Sequence, residues 1–481
     1  PNPCFDCHGH EANTGTRYGR TTTPTIYTDW AQSGHGLGLL TAKYTAADAI
    51  TIPAGSRTDP ARVAAQKAQV DAVMAASVAS GAFGGHNSST CARCHTSEGF
   101  SYYFENKADN PNTTMAGVIK CYACHSNPGM GTLRTLKDAK ATTNYTTDLG
   151  WTPPGYTPAY SKKAYPDMGA SNICIACHDS RYNDPGSITA ASTSPVSTHY
   201  LEAATTMFVK KGFLDLTDAT TKVKGSTTVT YQKSLMSDQD GGTITSTHRK
   251  LGTPAMVGDS HNPTFFVAGV LDHNGPCVTC HFTGSHSQKI DQKAIDAVCS
   301  KCHDSEGGKS ILLKADFDTY FLEPQSEVYQ DAISLAVAVF NNVKPASAAG
   351  VNVTLAKSTT TGYVTSTGTY TTIKAGYDKT KLLGAVSNII MFSREPAAYA
   401  HSRTYARRLL YDSIDYLDDG LMNESVGATA VALQPTIYAK HATDAFTDST
   451  LTTLATGTTE AMIYLIGWSR DPSEASETTA T

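Results

Sequence analysis

The stretch Cys277-Val278-Thr279-Cys280-His281, repeated in kind at Cys299-Ser300-Lys301-Cys302-His303, contains the pattern that decides the architecture of this chain. Cys-x-x-Cys-His occurs at four more places, and together the motifs contain all 12 cysteines of the 481 residues. Two thiols at this spacing add to the vinyl groups of a porphyrin, and the histidine that follows becomes an axial ligand of the iron. The motifs therefore predict six covalently bound c-type haems.

The predicted haem ligands fall into two sets. The thioether cysteines are Cys4, Cys7, Cys91, Cys94, Cys121, Cys124, Cys174, Cys177, Cys277, Cys280, Cys299 and Cys302. The proximal iron ligands are His8, His95, His125, His178, His281 and His303. Zinc sites, redox dithiols and disulfide frameworks also use paired cysteines, but none of them needs a histidine after every second cysteine.

The composition is that of an exported electron carrier rather than a nucleic-acid or membrane-spanning protein. Only 17% of residues are charged, the formal net charge is -5, and no basic cluster suited to phosphate neutralisation is present. The longest apolar runs, 332–340 and 461–468, are shorter than a membrane span. The start at Pro1, without an export signal, is what a mature exported chain would have.

The fold class predicted from these features is a multihaem cytochrome c fold. Porphyrins substitute for part of the core, so loops and short helices should wrap a row of haems with little β structure. No motif follows His303, which suggests a hexahaem electron-transfer domain over 1–310 and a small α/β haem-free region over 311–481. Local patterns predict helices over 59–80, 324–343, 396–419 and 459–468, β alternation over 225–233 and a hairpin over 351–373.

The second axial ligand decides whether an iron only carries electrons or also binds a substrate. Ten histidines lie outside the motifs, which is enough to fill six vacant positions: His10, His35, His86, His199, His248, His261, His273, His286, His401 and His441. Small neighbours around His35 and His86 would let a porphyrin approach the backbone. His261 and His286 bracket the fifth motif, and His401 lies near the start of the helix expected after Pro396.

The remaining histidines have less favourable contexts. His273 lies close to its own motif and is the first substitute should His261 not serve. His248 and His441 stand beside charged residues and are expected at the surface. His10, two residues after His8, cannot reach the other face of the same haem, so it is either a surface residue or a ligand of another iron.

Several phrases resemble the multihaem c-type cytochromes of metal-reducing bacteria. They are Trp30-x-x-Ser33-Gly34-His35, Cys91 through Phe100, Gly275 through His281 with Ser285-His286, and Arg394 through His401 with Asp415 through Asp418. The resemblance implies distal iron ligation by His35, His86, His261, His286 and His401, and His199 completes the six from its local context. It also implies long-range electron transfer in extracellular respiration, with other redox proteins or external acceptors as partners, and a location outside the cell or on its surface rather than in the periplasm.

Two other functions remain open at this point. One is a multihaem reductase of a nitrogen or sulfur oxyanion, which would need one open haem. The other treats 311–481 as a binding module with the haems as its redox sensor. A further expectation concerns assembly: the first haem lies near the start of the chain and His10 cannot serve it, which resembles cytochrome filaments in which a histidine of one subunit ligates an iron of the next.

Overall fold

The computed structural model describes the greater part of the chain between residues 16 and 433. The described residues are 16–17, 20–21, 26, 29–30, 33–36, 45–56, 58–79, 89–106, 119–134, 144–146, 164–166, 168–179, 184–208, 211–216, 221–224, 227–230, 247–254, 274–283, 286–301, 305–306, 309–422 and 425–433.

Helices dominate the described part, and most of those before residue 310 are short. In chain order they are α1 Pro60–Ala79, α2 Ser89–His95, α3 Ser97–Asn106, α4 Cys121–Cys124, α5 Asn172–His178, α6 Ala203–Phe208, α7 Gly275–His281, α8 Gln292–Ala297, α9 Lys314–Phe317, α10 Glu323–Val343, α11 Lys379–Arg394, α12 Ala398–His401, α13 Arg403–Asp419 and α14 Val426–Leu433. A 3₁₀ helix, Thr247–Lys250, precedes α7, and a π-helical turn, Asp318–Leu322, leads into α10.

The described strands are short and antiparallel. They are β1 Thr16–Arg17, β2 Arg20–Thr21, β3 His125–Asn127, β4 Thr132–Leu133, β5 Asn144–Thr146, β6 Ala164–Pro166, β7 Thr221–Lys224, β8 Thr227–Thr230, β9 Ser305–Glu306, β10 Lys309–Ser310, β11 Ala346–Ala348, β12 Val351–Asn352, β13 Leu355–Lys357, β14 Val364–Ser366 and β15 Thr372–Ile373. Within the described ranges each sheet has two or three strands, as the prediction of little β structure implied.

Helix boundaries follow the capping signals in the sequence. Asp59 accepts a hydrogen bond from the Ala61 amide at 2.8 Å, and Pro60 opens α1, as predicted. The helix expected from Pro324 is confirmed as α10, which ends at Val343. Gly420 adopts a left-handed conformation, φ 83°, that few other residues tolerate, and it ends α13 at the predicted position.

Two predictions were wrong in detail. The single helix expected after Pro396 is two helices, because Ser402 leaves the helical region at φ -156° and separates α12 from α13. The hairpin expected over 351–373 is two small sheets: β13 pairs with β14, whereas β12 and β15 both pair with β11. The β pattern expected over 225–233 contains β8, which pairs with β7 just before it. The helix expected over 459–468 lies outside the described residues.

Helix α11 was not predicted, and it is the centre of the largest apolar core. Its residues from Leu382 to Arg394 are buried on every side, so no amphipathic period marks it. Side chains of α10, α11 and α13 pack together with β11, β13 and β14. A smaller core joins α4, α5 and α6 with Phe100 of α3. The described helices include none that is both long and apolar enough to cross a membrane.

Candidate haem-binding site

The described cysteines lie on short helices that end at or beside the motif histidine. Helices α2, α5 and α7 end at His95, His178 and His281, and α4 ends one residue before His125. One helical turn places both cysteines of a motif on the same face. The nine described cysteines are partly buried and none forms a disulfide. Each described motif therefore presents its thiols in the arrangement that attachment to one porphyrin edge requires.

Each described motif histidine faces a histidine from outside the motifs. The distance between ring centres is 5.9 Å for His95 and His199 and 6.3 Å for His125 and His286. It is 6.2 Å both for His178 and His35 and for His281 and His401. The structure thus brings together four of the six predicted distal histidines, one with each of the four described proximal histidines.

The spacing of these pairs fits an iron between the rings. A ligating nitrogen lies about 2 Å from its metal and the ring centre about 1 Å further, so two axial imidazoles have centres roughly 6 Å apart. Contacts between aromatic rings also occur at such distances. Ring contact alone, however, does not explain why each partner of a motif histidine is a histidine and why the distance varies by so little.

Hydrogen bonds at Nδ1 fix the orientation of several of the paired rings, although the buried Nδ1 of His125 has no such partner among the described residues. The Nδ1 atom of His178 bonds to the carbonyl oxygen of Leu201 at 2.8 Å, and that of His281 bonds to the carbonyl of Gln288 at 2.9 Å. His199 makes a similar bond to the Tyr200 carbonyl at 3.1 Å. A proton held on Nδ1 leaves Nε2 unprotonated, which is the form that binds a metal.

Gln288 serves two of the sites at once. Its carbonyl accepts from His281, and its side-chain amide lies 2.6 Å from Nδ1 of His35. The contact at His35 is made by the Nε2 atom of the Gln288 amide, so the side chain of Gln288 orients this ring by a hydrogen bond at Nδ1. Its backbone has φ 60°, a strained conformation for a residue with a side chain. The turn at Gln288 therefore links the fifth motif to the distal ligand of the fourth.

The pKa of His401 is shifted in the opposite direction from the pKa values of His35 and His281. Burial, aided by nearby His178, lowers the pKa of His35 to about 4, and burial also lowers the pKa of His281. Burial opposes the charged form of His401 too, but the Glu395 carboxylate bonds to its Nδ1 at 2.9 Å and the net pKa is raised. A carboxylate behind a ligating imidazole makes it a stronger electron donor to the metal.

The attachment cysteines of different motifs touch one another. The thiol of Cys174 hydrogen-bonds with that of Cys277, and the thiol of Cys177 does so with Cys94. Cys124 lies near both cysteines of the fourth motif, and Cys280 lies near Cys299. The fifth and sixth motifs, which start 22 residues apart, are thus also close in space. Because each thioether would join the edge of a porphyrin, these approaches would bring the edges of neighbouring haems together.

The segment between the fourth and fifth motifs is held on helix α11. Ser387 accepts from the Val196 amide at 2.8 Å, and the Asn388 side chain bonds both the amide and the carbonyl of Phe213, at 2.8 and 2.9 Å. The Leu201 amide donates to the Arg394 carbonyl at 2.9 Å. Helix α11 therefore fixes the segment that carries His199 and the Leu201 carbonyl, although it contributes no iron ligand.

The sequence did not reveal the residues that orient the ligands. No sequence motif marks these residues, which are Glu395, Gln288 and Leu201. Of the three, only Glu395 lies in a phrase that resembles known multihaem cytochromes, Arg394-Glu395-Pro396. His248, expected at the surface, is instead partly buried. Other predicted site residues lie outside the described residues: Cys4, Cys7, His8, His10, His86, His261, His273, Cys302, His303 and His441.

Comparison with known proteins agrees with this chemistry. The family model for C-type polyheme cytochrome domain 2 matches residues 1–134. The chain is 31% identical to C-type polyheme cytochrome OmcB of Geobacter sulfurreducens and 29% identical to C-type polyheme cytochrome OmcC of the same organism, each over 89% of its length. It spans 56% and 55% of the lengths of those two relatives, and no solved structure matches it. The motifs, the paired histidines and these similarities identify the chain as a multihaem c-type cytochrome of the kind found in metal-reducing bacteria.

Proposed function

We propose that the chain transfers electrons through six c-type haems, each with two axial histidines, in respiration to acceptors outside the cell. When bound, haem supplies reversible one-electron exchange at its iron. Two axial imidazoles would prevent other ligands from binding to that iron. The observation that carries the proposal is the pairing of each described motif histidine with a second histidine at close to 6 Å. The pairs are His178 with His35, His95 with His199, His125 with His286, and His281 with His401.

The same observation argues against the reductase alternative at these four sites. A reductase needs an axial position that its substrate can occupy, and in every described pair a second histidine faces the motif histidine, where it would fill that position. His86 and His261 are the distal ligands proposed from the sequence for the two remaining haems. On this proposal the protein is an electron carrier and not an enzyme.

Mass, spin state and carbon monoxide binding test the proposal on the mature protein. Six attached haems should add six haem masses to the 51.0 kDa polypeptide. Electron paramagnetic resonance of the oxidised protein should show low-spin iron, and the reduced protein should bind carbon monoxide slowly or not at all. Fewer than six haems would contradict the stoichiometry, whereas one rapidly binding haem would favour the reductase.

The contacts among the cysteines support a particular arrangement of the haems. The fourth motif touches the second through Cys177 and Cys94 and the fifth through Cys174 and Cys277. The third motif approaches it through Cys124, and the sixth adjoins the fifth through Cys299. We therefore propose that the haem of the fourth motif lies at a junction with three neighbouring haems. The haems would then not form a single row in the order of the motifs along the chain.

We propose that the region 311–481 carries no haem and supplies residues to haem sites whose motifs lie before residue 310. It contains no Cys-x-x-Cys-His motif, and it provides His401 and Glu395 to the fifth site. Helix α11 of this region also holds the segment of His199. The alternative of a separate binding module gains no support. In the described residues, α11 and α12 contact the segments that carry the proposed haem ligands, as expected of a region that packs on the haem sites.

Location and assembly form the finest part of the proposal. We place the chain outside the cell or on its surface, with redox proteins or external acceptors as partners, and as a homopolymer in which His10 ligates an iron of the next subunit. The support for assembly is the spacing of His10 from His8, which prevents it from serving its own haem. Negative-stain microscopy tests this directly: filaments of the native protein should be absent from His10→Ala, and a strictly monomeric native protein would contradict it.

A further inference from the structure

The 3₁₀ helix Thr247–Lys250 precedes the fifth haem motif in the chain and contacts α7, the helix of that motif. The carbonyl of Gly252 accepts from the amide of Gly275 at 2.9 Å, which joins the segment to the first residue of α7. Buried Leu251 packs with Val298 against Cys280 and Cys299. Cys280 of the fifth motif and Cys299 of the sixth therefore border the same small core as this segment.

His248, on this 3₁₀ helix, has the orientation of the iron ligands. Its Nδ1 bonds to the backbone carbonyl of Ala400 at 3.1 Å, as Nδ1 of His199 and of His178 bond to backbone carbonyls. The side chain is partly buried. The carbonyl of Ala400 fixes the proton on Nδ1 and leaves Nε2 as the nitrogen that can bind a metal.

The haem of the fifth motif has no place for this nitrogen. His281 is paired with His401, and the other three described motif histidines are paired with His35, His199 and His286. Of the described attachment cysteines, Cys299 is the one outside these four motifs, and it borders the same small core as Leu251. The haem bound at Cys299 is thus the one whose second axial position His248 can fill.

We infer that His248 is the distal iron ligand of the haem attached at Cys299. The inference rests on the proposed haem function, and it replaces one of the two sequence-based candidates, His86 and His261, at the sixth haem. Its consequence is that α12 orients two ligands at once, since Ala400 holds His248 and the next residue, His401, belongs to the fifth haem.

The test compares the intact wild-type protein with His248→Ala by mass, spin state and carbon monoxide binding. Wild-type protein with six haems and low-spin iron establishes the proposed function independently. His248→Ala should then keep six haems but convert one of them to high spin and bind one carbon monoxide per chain when reduced. Six low-spin haems in His248→Ala would overturn the inference while leaving the proposed function intact.

Two further variants separate ligation from a structural role. His248→Met should restore low-spin iron, because a thioether can replace the imidazole, and should raise the potential of one haem. Lys250→Ala, on the same 3₁₀ helix, should leave the spectrum unchanged. If His248→Ala loses a haem during maturation, His248→Met decides: one haem with a raised potential supports ligation, and an unchanged titration opposes it.

Assignment to the sixth haem needs one more measurement. In a Cys299→Ala, Cys302→Ala protein with five haems, adding His248→Ala should produce no new high-spin iron. A high-spin signal in that background would show that His248 serves another haem and would overturn the assignment.

Discussion

At the scale of single residues, the covalent chemistry was readable from the sequence and the fine control was not. Attachment requires two thiols and a histidine in one contiguous motif, so a local pattern reveals it. The orienting partners are set by the tertiary structure: Gln288 reaches His35, and Leu201 reaches His178, across segments that no local pattern connects. The surface position expected for His248 was wrong for the same reason, since its partner, Ala400, lies far along the chain.

Glu395 should set the reduction potential of the fifth haem. Glu395→Gln keeps a hydrogen-bonding side chain behind His401 but removes the negative charge that stabilises oxidised iron. We expect a potential higher by roughly 60 mV, which corresponds to a tenfold change in a one-electron equilibrium, with the iron still low-spin. A spectroelectrochemical titration measures it. The exposed Glu323→Gln is the control, and equal titrations for the two variants would contradict the role of Glu395.

Gln288 should orient His35 through its side chain alone. Gln288→Gly removes the amide but accepts the positive φ and keeps the carbonyl that bonds to His281. We therefore expect altered electron paramagnetic resonance g-values at one haem, that of the fourth motif, with the others unchanged. Gln288→Asn, which also tolerates this backbone conformation and keeps an amide, should show a smaller change. A change at the fifth haem instead would indicate that the backbone had moved.

At the scale of elements, helices with cap signals were predictable and those defined by packing were not. Asp59-Pro60 and Gly420 mark their helix ends in the sequence. Helix α11 has no apolar period because it is buried on all sides, and the break at Ser402 depends on how α12 and α13 pack. The short strands between α10 and α11 were assigned the wrong pairing, because several alternating Thr-rich runs can pair with one another.

Asn388 should stabilise the docking of the segment that carries His199. Asn388→Ala leaves the buried amide and carbonyl of Phe213 without these partners, at about 1–3 kcal/mol for each group. We expect the free energy of unfolding to fall by about 2–6 kcal/mol in denaturant titrations. The exposed Asn352→Ala on β12 should change it by less than about 0.5 kcal/mol. A similar small effect in both variants would contradict the docking role.

At the scale of the whole molecule, the spacing of the motifs along the chain accounts for some of the approaches between them and not for others. The fifth and sixth motifs are close along the chain, which accounts for the approach of Cys280 to Cys299. The contacts of the fourth motif with Cys94 and Cys277 join distant parts of the chain. The order of the motifs along the chain therefore does not predict which motifs lie side by side. His401, in the region after residue 310 from which it was expected to be donated, faces His281 of the fifth motif.

The junction at the fourth motif can be tested by changing one axial ligand at a time. His35→Met should raise the potential of that haem so that it is reduced first, and its loss of paramagnetism should alter the signals of three neighbouring haems. His401→Met, the matched control at the fifth haem, should alter those of two. Electron paramagnetic resonance during a redox titration measures both. Equal numbers of affected neighbours would contradict the branched arrangement.

The pairing of histidines also sets an order of biosynthesis. A chain is made from its N-terminus, and His199, His286 and His401 all follow the motifs whose histidines they face. Haem can therefore be joined to these three motifs before the second ligand has been delivered, and the nascent protein passes through forms with open irons. Among the four described pairs, only the fourth motif has a partner, His35, that precedes it and would be ready at the moment of attachment. On the proposed ligation, the last of these three irons to close would wait for α12, so the region without haem motifs would determine when the fifth haem stops reacting with small ligands.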